Sequence, residues 1–285
     1  MRLFSRFLNQ NCIIRNLKNK RNALINYYFL KQKSSDTELV LTELRNEKSV
    51  VFSIAFNKPK CIEFLIYCWR QNAKNTELII IDNSTDPISR IKIKNLCQNK
   101  NILYLALPKN PEWHPNRSHA LAMNWVFYNI VIKISPKYFG YLDHDCFPFY
   151  TFDLNDKLES SLIYGEKRVS EKLTDVWSFW AGFCFFNFEY VKIRKLNFTH
   201  SLELGLDTGG QNWDVLYKGV TTNKMYFARS YVLALMNLNS NLSQYNIVDE
   251  FVHFGSASRQ DKGNQFSVKN GHHIIEQLQR KLPNN

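Results

Sequence analysis

Short apolar runs alternate with helical patterns between residues 49 and 142, and this alternation constrains the fold more than any other feature of the chain. Four runs have the length and the Val, Ile, Leu, Phe and Tyr content of buried strands: Ser49–Phe56, Glu77–Asp82, Asn101–Leu107 and Tyr138–Leu142. The stretches between them repeat apolar residues at three- and four-residue spacing, as on one face of a helix. Such alternation predicts an α/β fold with a mostly parallel sheet and helices on both faces.

Polar residues stand where the predicted strands end. Asn57 follows the first strand, Asp82 ends the second, and Asp143 and Asp145 follow the fourth. Because ligands of open parallel sheets bind beyond the carboxyl ends of the strands, we expect the site at this edge. No strand is followed by a G-x-G-x-x-G or P-loop motif, which argues against a nicotinamide-binding fold and a P-loop NTPase.

The two carboxylates of Asp143 and Asp145 are separated by one residue. Residues i and i+2 of an extended chain point the same way, so both side chains can face one point. Two like charges aimed at one point repel unless a cation lies between them, and oxygen ligands suit Mg²⁺ or Mn²⁺. The motif therefore predicts a site for a metal and a diphosphate. The alternative is that both residues are solvated aspartates of a turn.

The net charge of +12 is concentrated near the N-terminus. No acidic residue precedes Asp36, while eight basic residues do: Arg2, Arg6, Arg15, Lys18, Lys20, Arg21, Lys31 and Lys33. With its interleaved apolar residues, this segment could be a solvated leader, contact an anionic membrane surface, or contact nucleic acid, the least expected of the three. We treat residues 1–46 as a basic N-terminal appendage.

Composition limits the class of protein and its compartment. The chain has 285 residues, with 21 Phe and 14 Tyr, which is ample for a packed core. No apolar run approaches the roughly 20 residues that cross a bilayer, and the N-terminus lacks the apolar stretch of a secretory signal. The six cysteines form no C-x-x-C pair, which favours reduced thiols. We expect a cytoplasmic protein, with peripheral contact to a membrane left open.

Three stretches together resemble a known enzyme family. The strand and turn Ile79–Asp86, the segment Asn116–Asn124 and the stretch Leu142–Asp145 follow one another in this order. They are similar to the nucleotide-contacting turn, the helix under the diphosphate and the metal-binding Asp-x-Asp of nucleotide-sugar glycosyltransferases with the GT-A fold, most like the broad family 2. The resemblance covers residues 49–255. It implies a Rossmann-like, mostly parallel sheet with a smaller mixed half on the acceptor side.

The resemblance also implies an activity. A sugar would move from a nucleoside-diphosphate sugar to an acceptor, which could be a glycan, a lipid-linked molecule or a protein. Inversion is the expected stereochemistry. Mn²⁺ or Mg²⁺ would be held by Asp145, with Asp143 on the metal or on the ribose. A cation at this position would neutralise the charge that grows on the departing nucleoside diphosphate.

Donor contacts follow from the same resemblance. The wall of the donor pocket would be formed by Ser53, Ala55, Phe56 and Asn57. Asp82 would contact the base, and Asn83 lies in the same turn. Arg117 and His119 would lie near the phosphates. Each has a structural alternative: Asp82 as a turn or cap residue, Arg117 as a surface residue, and His119 as a satisfied core or cap histidine.

The resemblance implies further candidates in the second half of the chain. Gly182 either allows a close backbone approach to the sugar or marks a strand bulge. Asp207 is the candidate general base with Asp214 as its substitute, and the alternative is an N-cap. His253 either completes the metal shell or is a structural histidine of an apolar strand.

We assign residues 47–260 to the glycosyltransferase domain and residues 261–285 to a C-terminal helical tail. One rival is another metal-dependent nucleotide enzyme, such as a nucleotidyltransferase, using the same carboxylate pair. The other is a non-catalytic module that binds membrane or nucleic acid through the basic leader.

Overall fold

The computed structural model describes residues 12–45, 47–255 and 266–282. Its helices are α1 (Cys12–Leu30), α2 (Thr37–Glu43), α3 (Pro59–Asn72), α4 (Pro87–Asn99), α5 (Pro115–Val126), α6 (Leu154–Leu158), α7 (Phe188–Val191) and α8 (Val268–Lys281). Helix α5 continues as a π-helical segment, Phe127–Val131, and a last turn, Ile132–Ile134. Residues 1–11 of the predicted appendage lie outside the described residues.

The strands form one large sheet and two smaller ones. They are β1 (Ser49–Ala55), β2 (Ala73–Lys74), β3 (Glu77–Asp82), β4 (Leu103–Ala106), β5 (Tyr138–Asp143), β6 (Cys146–Pro148), β7 (Phe152–Asp153), β8 (Ile163–Val169), β9 (Trp177–Asn187), β10 (Met225–Phe227), β11 (Ser230–Met236), β12 (Leu242–Val248) and β13 (Phe251–His253). The main sheet has the order β10-β8-β9-β5-β1-β3-β4. Strands β4, β3, β1 and β5 are parallel, and β9 is antiparallel to both its neighbours. The predicted α/β fold is confirmed.

Both faces of the main sheet are covered, which explains its apolar strands. All residues of β1 are buried. Helices α3 and α4 pack on the face that includes Val51 and Ile80. Helix α5 packs on the opposite face with Phe52 and Ile79. A strand enclosed in this way needs a near-continuous apolar sequence, as the first predicted run has.

The N-terminal helices share a core with the sheet. Phe29, Val40 and Leu44 are fully buried in the cluster that contains α5. In addition, the indole N–H of Trp125 donates to the carbonyl oxygen of Gln32 at 3.0 Å. The domain boundary at residue 46 stays a prediction. No helix among the described residues, α1 included, has the length and apolar character needed to cross a bilayer.

A second sheet lies beyond the end of β5. It is antiparallel, in the order β11-β12-β13-β6. Helix α8 packs nearby, with Ile274 and Leu278 fully buried. Its Gly271 lies so close to Phe64 that a Cβ atom would be 2.7 Å from the ring. The short strand β6 connects the two sheets, and this connection positions the candidate site.

Candidate active site

A cavity of about 830 Å³ opens at the carboxyl ends of β1 and β5. The N-terminal end of α5, strand β9, the end of β8 and the turn around Asp207 form its walls. Its volume lies in the range of sites for small molecules and cofactors. The predicted site residues that line it are Phe56, Asn83, His119, Asp143, Asp145, Gly182, Asp207 and His253.

Strand pairing brings Asp143, Asp145 and His253 together. Strand β5 ends at Asp143, a two-residue turn contains Asp145, and β6 begins at the next residue. The antiparallel register pairs Cys146 of β6 with His253 of β13. One ligand atom from each of the three side chains lies within 4.8 Å of the others. The Nε2 atom of His253 is 3.3 Å from Oδ1 of Asp145.

Asp145 is a buried carboxylate with unused binding capacity. It is 3% exposed, and its Oδ2 atom has no hydrogen-bond partner among the described residues. Burial opposes its ionisation, but the charge and hydrogen bond of His253 outweigh burial and hold the pKa of Asp145 below its usual range. Burial likewise opposes protonation of His253, yet Asp145 raises the pKa of the imidazole. Leaving a buried charge without its partner costs about 3–5 kcal/mol.

The residues of this cluster fit a divalent cation. The unpartnered Oδ2 atom of Asp145 provides a buried anionic ligand. Two carboxylates suit Mg²⁺ or Mn²⁺, and an imidazole ligand favours Mn²⁺ over Mg²⁺, which prefers oxygen.

Gly182 lies against the cluster and has no space for a side chain. The register that pairs Leu142 with Phe183 brings Gly182 beside Asp143. A Cβ atom on Gly182 would lie 2.2 Å from Oδ2 of Asp143 and 2.6 Å from Cζ2 of Trp180. Towards β8, the pairing of β9 shifts register at this point: Cys184 pairs with Gly165, but Phe179 pairs with Lys167. Gly182 therefore lies in the irregular stretch of β9, as the bulge alternative predicts. A close approach of its backbone to the sugar stays a prediction.

Two further histidines border the carboxylates. Nδ1 of His144 is 3.0 Å from the carbonyl oxygen of Ile54, which fixes the ring against β1. Nε2 of His119 is 3.7 Å from Oδ1 of Asp143. Burial lowers the pKa of His119, although Asp143 opposes this effect. His119 therefore lines the cavity as an imidazole that favours its neutral form.

Asp207 also lines the cavity and is exposed. The side-chain amide of Asn116 donates to both of its carboxylate oxygens, at 2.8 and 2.9 Å. Gly209 adopts φ +91°, a conformation that favours glycine, and the backbone amide of Gly210 donates to the carbonyl oxygen of Asp207 at 2.8 Å. A tight turn thus presents the carboxylate, and Asn116 orients it.

Asp214, the predicted substitute for Asp207, lies elsewhere. It is exposed, forms an ion pair of 3.2 Å with Lys218, and is not among the residues that line the cavity. Its catalytic role stays a prediction.

Asn57 joins the ends of β1 and β3. It has φ +53°, and its Oδ1 atom accepts hydrogen bonds from the backbone amides of Thr85 and Asp86 at 3.0 and 2.9 Å. Its own backbone amide donates to the hydroxyl of Ser84 at 2.9 Å. The side chain therefore holds the turn that follows β3.

Asp82 is fully buried beneath this turn. The hydroxyl of Tyr104 donates to its Oδ2 atom at 2.7 Å, and the amide of Ser84 donates to its Oδ1 atom at 2.9 Å. The second bond is the Asx-turn that was one alternative for this residue. Asn83 reaches the cavity instead, and its amide donates to the hydroxyl of Ser118 at 2.9 Å. Contact of Asp82 with a base stays a prediction.

The remaining predicted donor residues divide between the sheet and the surface. Ser53 and Ala55 are fully buried in β1 and are not lining residues, whereas Phe56 lines the cavity. Arg117 is also outside the lining, and its Nε–H donates to Glu112 at 2.9 Å. Its predicted phosphate contact is untested.

The lining residues that were not assigned from the sequence include Asn116, Arg168 and Trp180. Asn116 and Asp207 are 91 positions apart, so no local pattern shows their contact. Trp180 packs on His253 with ring centroids 4.5 Å apart, and the Arg168 guanidinium is 5.3 Å from the Trp180 ring centroid. The aromatic sequence around Gly182 was the available signal for Trp180.

Comparisons with known proteins give structural matches only. No protein-family model matches the chain, and no curated protein sequence matches it. Among solved structures, TarS of S. aureus is 16% identical over 55% of this chain and 31% of its own, with a TM-score of 0.37. The bifunctional glycosyltransferase WbbM is 14% identical over 50% and 32%, with a TM-score of 0.35.

A third match is the mannosyltransferase PcManGT from Pyrobaculum calidifontis, in complex with GDP-Man and Mn²⁺. It is 10% identical over 77% of this chain and 66% of its own, with a TM-score of 0.41. The matched region spans about a third of TarS and of WbbM. Because all three TM-scores are low, the functional conclusion rests on the geometry of the cavity.

Proposed function

We propose that this chain is a metal-dependent glycosyltransferase that moves a sugar from a nucleoside-diphosphate sugar to an acceptor hydroxyl. The observation that carries the proposal is the cluster of Asp143, Asp145 and His253 at the carboxyl edge of the sheet, inside a cavity of about 830 Å³. The same cavity contains Asp207, a separate exposed carboxylate.

The metal side of the cavity would bind the donor diphosphate. The cation, Mn²⁺ or Mg²⁺, would be held by Asp143, Asp145 and His253. The Oδ2 atom of Asp145, which has no hydrogen-bond partner among the described residues, would bind this cation. When bound, the cation supplies Lewis-acid stabilisation of the departing diphosphate. Gly182 would let the Asp143 carboxylate lie directly against the backbone of β9, where a side chain would displace it.

The nucleoside would lie toward Phe56 and Asn83, which line the cavity next to the metal cluster. Asp82 and Asn57 would support this pocket by fixing the turn after β3, since their side-chain oxygens accept hydrogen bonds from that turn. Their role in donor binding is therefore positional in this proposal.

Asp207 would act as the general base. As the acceptor oxygen attacks the anomeric carbon, its proton passes to a carboxylate oxygen of Asp207. The anomeric carbon–oxygen bond of the donor breaks, and its electron pair leaves with the nucleoside diphosphate. Asn116 holds the carboxylate in place through both of its oxygens. If the acceptor attacks from the face of the sugar away from the leaving group, the transfer would invert the configuration.

The function is tested with a panel of UDP-, GDP-, dTDP- and CMP-sugars, each with and without Mn²⁺. A bound donor raises the melting temperature, because the gain in stability grows with the logarithm of the donor concentration over Kd. We expect one donor class to stabilise the protein only with metal and to be hydrolysed slowly to a nucleoside diphosphate. Release of a nucleoside monophosphate and a sugar phosphate would contradict sugar transfer, and absence of stabilisation by every donor would contradict the nucleotide-sugar site.

A further inference from the structure

Helix α1 presents large apolar side chains to solvent on one side. Leu17 is 62% exposed, Leu24 57%, Tyr27 53% and Tyr28 60%. At 100° per residue, these four side chains and Lys20 fall within a sector of about 100°. We call this set of five residues the outer face of α1.

The opposite side of α1 is fixed to the protein. Phe29 is fully buried in the core. The side-chain amide of Asn124 in α5 donates to Asn26 at 2.9 Å, and that of Asn129 donates to the carbonyl oxygen of Leu30 at 3.2 Å. A helix attached in this way normally turns a polar face to water. Packing within the described residues therefore does not account for the outer face.

The charge around the outer face is positive. No acidic residue occurs before Asp36 in the sequence. Lys20 belongs to the outer face, and the Lys31 ammonium lies 3.9 Å from the centroid of the Tyr27 ring. The outer face thus combines exposed apolar side chains with a lysine and contains no acidic residue, a combination that matches an anionic lipid surface.

An exposed tryptophan lies beside α1. Arg21 forms an ion pair with Glu112, and the next residue, Trp113, is 82% exposed. Tryptophan is favoured at the boundary between lipid and water because its ring is amphipathic. Glu112 is also close in sequence to His114, which lines the cavity.

We propose that the outer face of α1, together with Trp113, docks onto an anionic lipid bilayer. The apolar side chains would enter the boundary between head groups and acyl chains, and the lysines would contact the head groups. Docking through this face would keep the cavity near the lipid surface. The proposal requires neither metal nor nucleotide, so its failure and that of the proposed function are separate.

The test is sedimentation of the full chain with vesicles of phosphatidylcholine, with and without phosphatidylglycerol. We expect the wild type to partition onto anionic vesicles and much less onto neutral ones. The triple variant Leu17→Ser, Leu24→Ser, Tyr28→Ser should lose about tenfold or more of this partitioning. The matched control is Ile88→Ser, Ile91→Ser, which removes exposed apolar side chains from α4 and should bind as the wild type does.

The single variant Lys20→Glu provides a second test in case the triple variant misfolds, because it changes only a surface charge. It should weaken binding to anionic vesicles and leave the melting curve unchanged. Equal binding to neutral vesicles, or unchanged binding by both variants, would overturn the proposal. Two other results would also overturn the proposal. If the wild type is a dimer and the triple variant is a monomer, the outer face binds a second copy of the chain. If the protein binds an RNA oligonucleotide and not vesicles, the face binds nucleic acid.

Discussion

Asp145 and Asp207 share one cavity but have opposite surroundings. Asp145 is buried beside a histidine, and one of its oxygens has no partner among the described residues. Asp207 is exposed, and Asn116 donates to both of its oxygens. In the proposed function, Asp145 holds a cation and Asp207 acts as the general base. Burial and hydrogen bonding would then give one residue type two roles.

Asp145→Asn should have the largest effect because it removes the buried charge while it keeps the size of the side chain. We expect metal-dependent donor turnover to fall on the order of 10⁴-fold, since Lewis-acid stabilisation contributes several kcal/mol. Calorimetric titration with Mn²⁺ should show that binding is lost. Wild-type turnover in this variant would show that Asp145 holds no catalytic cation.

Asp207→Asn should impair proton transfer without changing the binding of metal and donor. We expect transfer to fall about 10³-fold, which is typical when a general base is removed, while Mn²⁺ and nucleotide affinities stay at wild-type values. The matched control is Asp214→Asn, which removes an exposed carboxylate paired with Lys218 and should keep full activity. If Asp214→Asn lost activity and Asp207→Asn did not, the general base would be Asp214 and not Asp207.

Gly182→Ala should damage the metal end through sterics alone. The added Cβ atom would lie 2.2 Å from Oδ2 of Asp143, so the carboxylate must move. We expect Mn²⁺ affinity to fall about 10- to 100-fold, as when groups that orient metal ligands are changed, and stability to fall by about 1–3 kcal/mol. Titration and thermal melting measure the two effects. Gly219→Ala is a useful control, because no atom of the described residues beyond its own chain neighbours lies within 4 Å of its Cβ position, although its φ of +78° adds strain.

Asn116→Ala should have the smallest effect. It removes the amide that orients Asp207 but leaves the carboxylate, so we expect kcat to fall about tenfold with KM for the donor unchanged. Steady-state kinetics at saturating metal separate the two constants. An increase in donor KM with unchanged kcat would instead place Asn116 in donor binding.

The regular half of the fold was accessible from the sequence for a physical reason. Strands such as β1 and β3 are buried on both faces, so their apolar runs and the polar residues after them are visible locally. The pairing of Asp143 with Asp145 is also local. The position of His253 beside Asp145 is not visible in a local pattern, because it depends on the register of β13 on β6.

Other parts of the site depend on contacts that no local pattern contains. The bond from Asn116 to Asp207 spans 91 positions. The interaction of Asn57 with the turn after β3 exists only because β1 and β3 are neighbours in the sheet. The sequence also did not show that Asp82 is buried. An aspartate at the end of a strand predicts a position at the polar edge of the sheet, but it does not indicate how exposed the side chain is.

The most direct test of the account is anomalous diffraction at the manganese edge from crystals soaked with Mn²⁺ and a nucleoside diphosphate. The account predicts one manganese peak within bonding distance of Asp145 and His253, with Asp143 on the metal or on the ribose, and diphosphate oxygens on the same ion. A cavity with nucleotide bound but no peak between these side chains, or a peak at a different place, would contradict it.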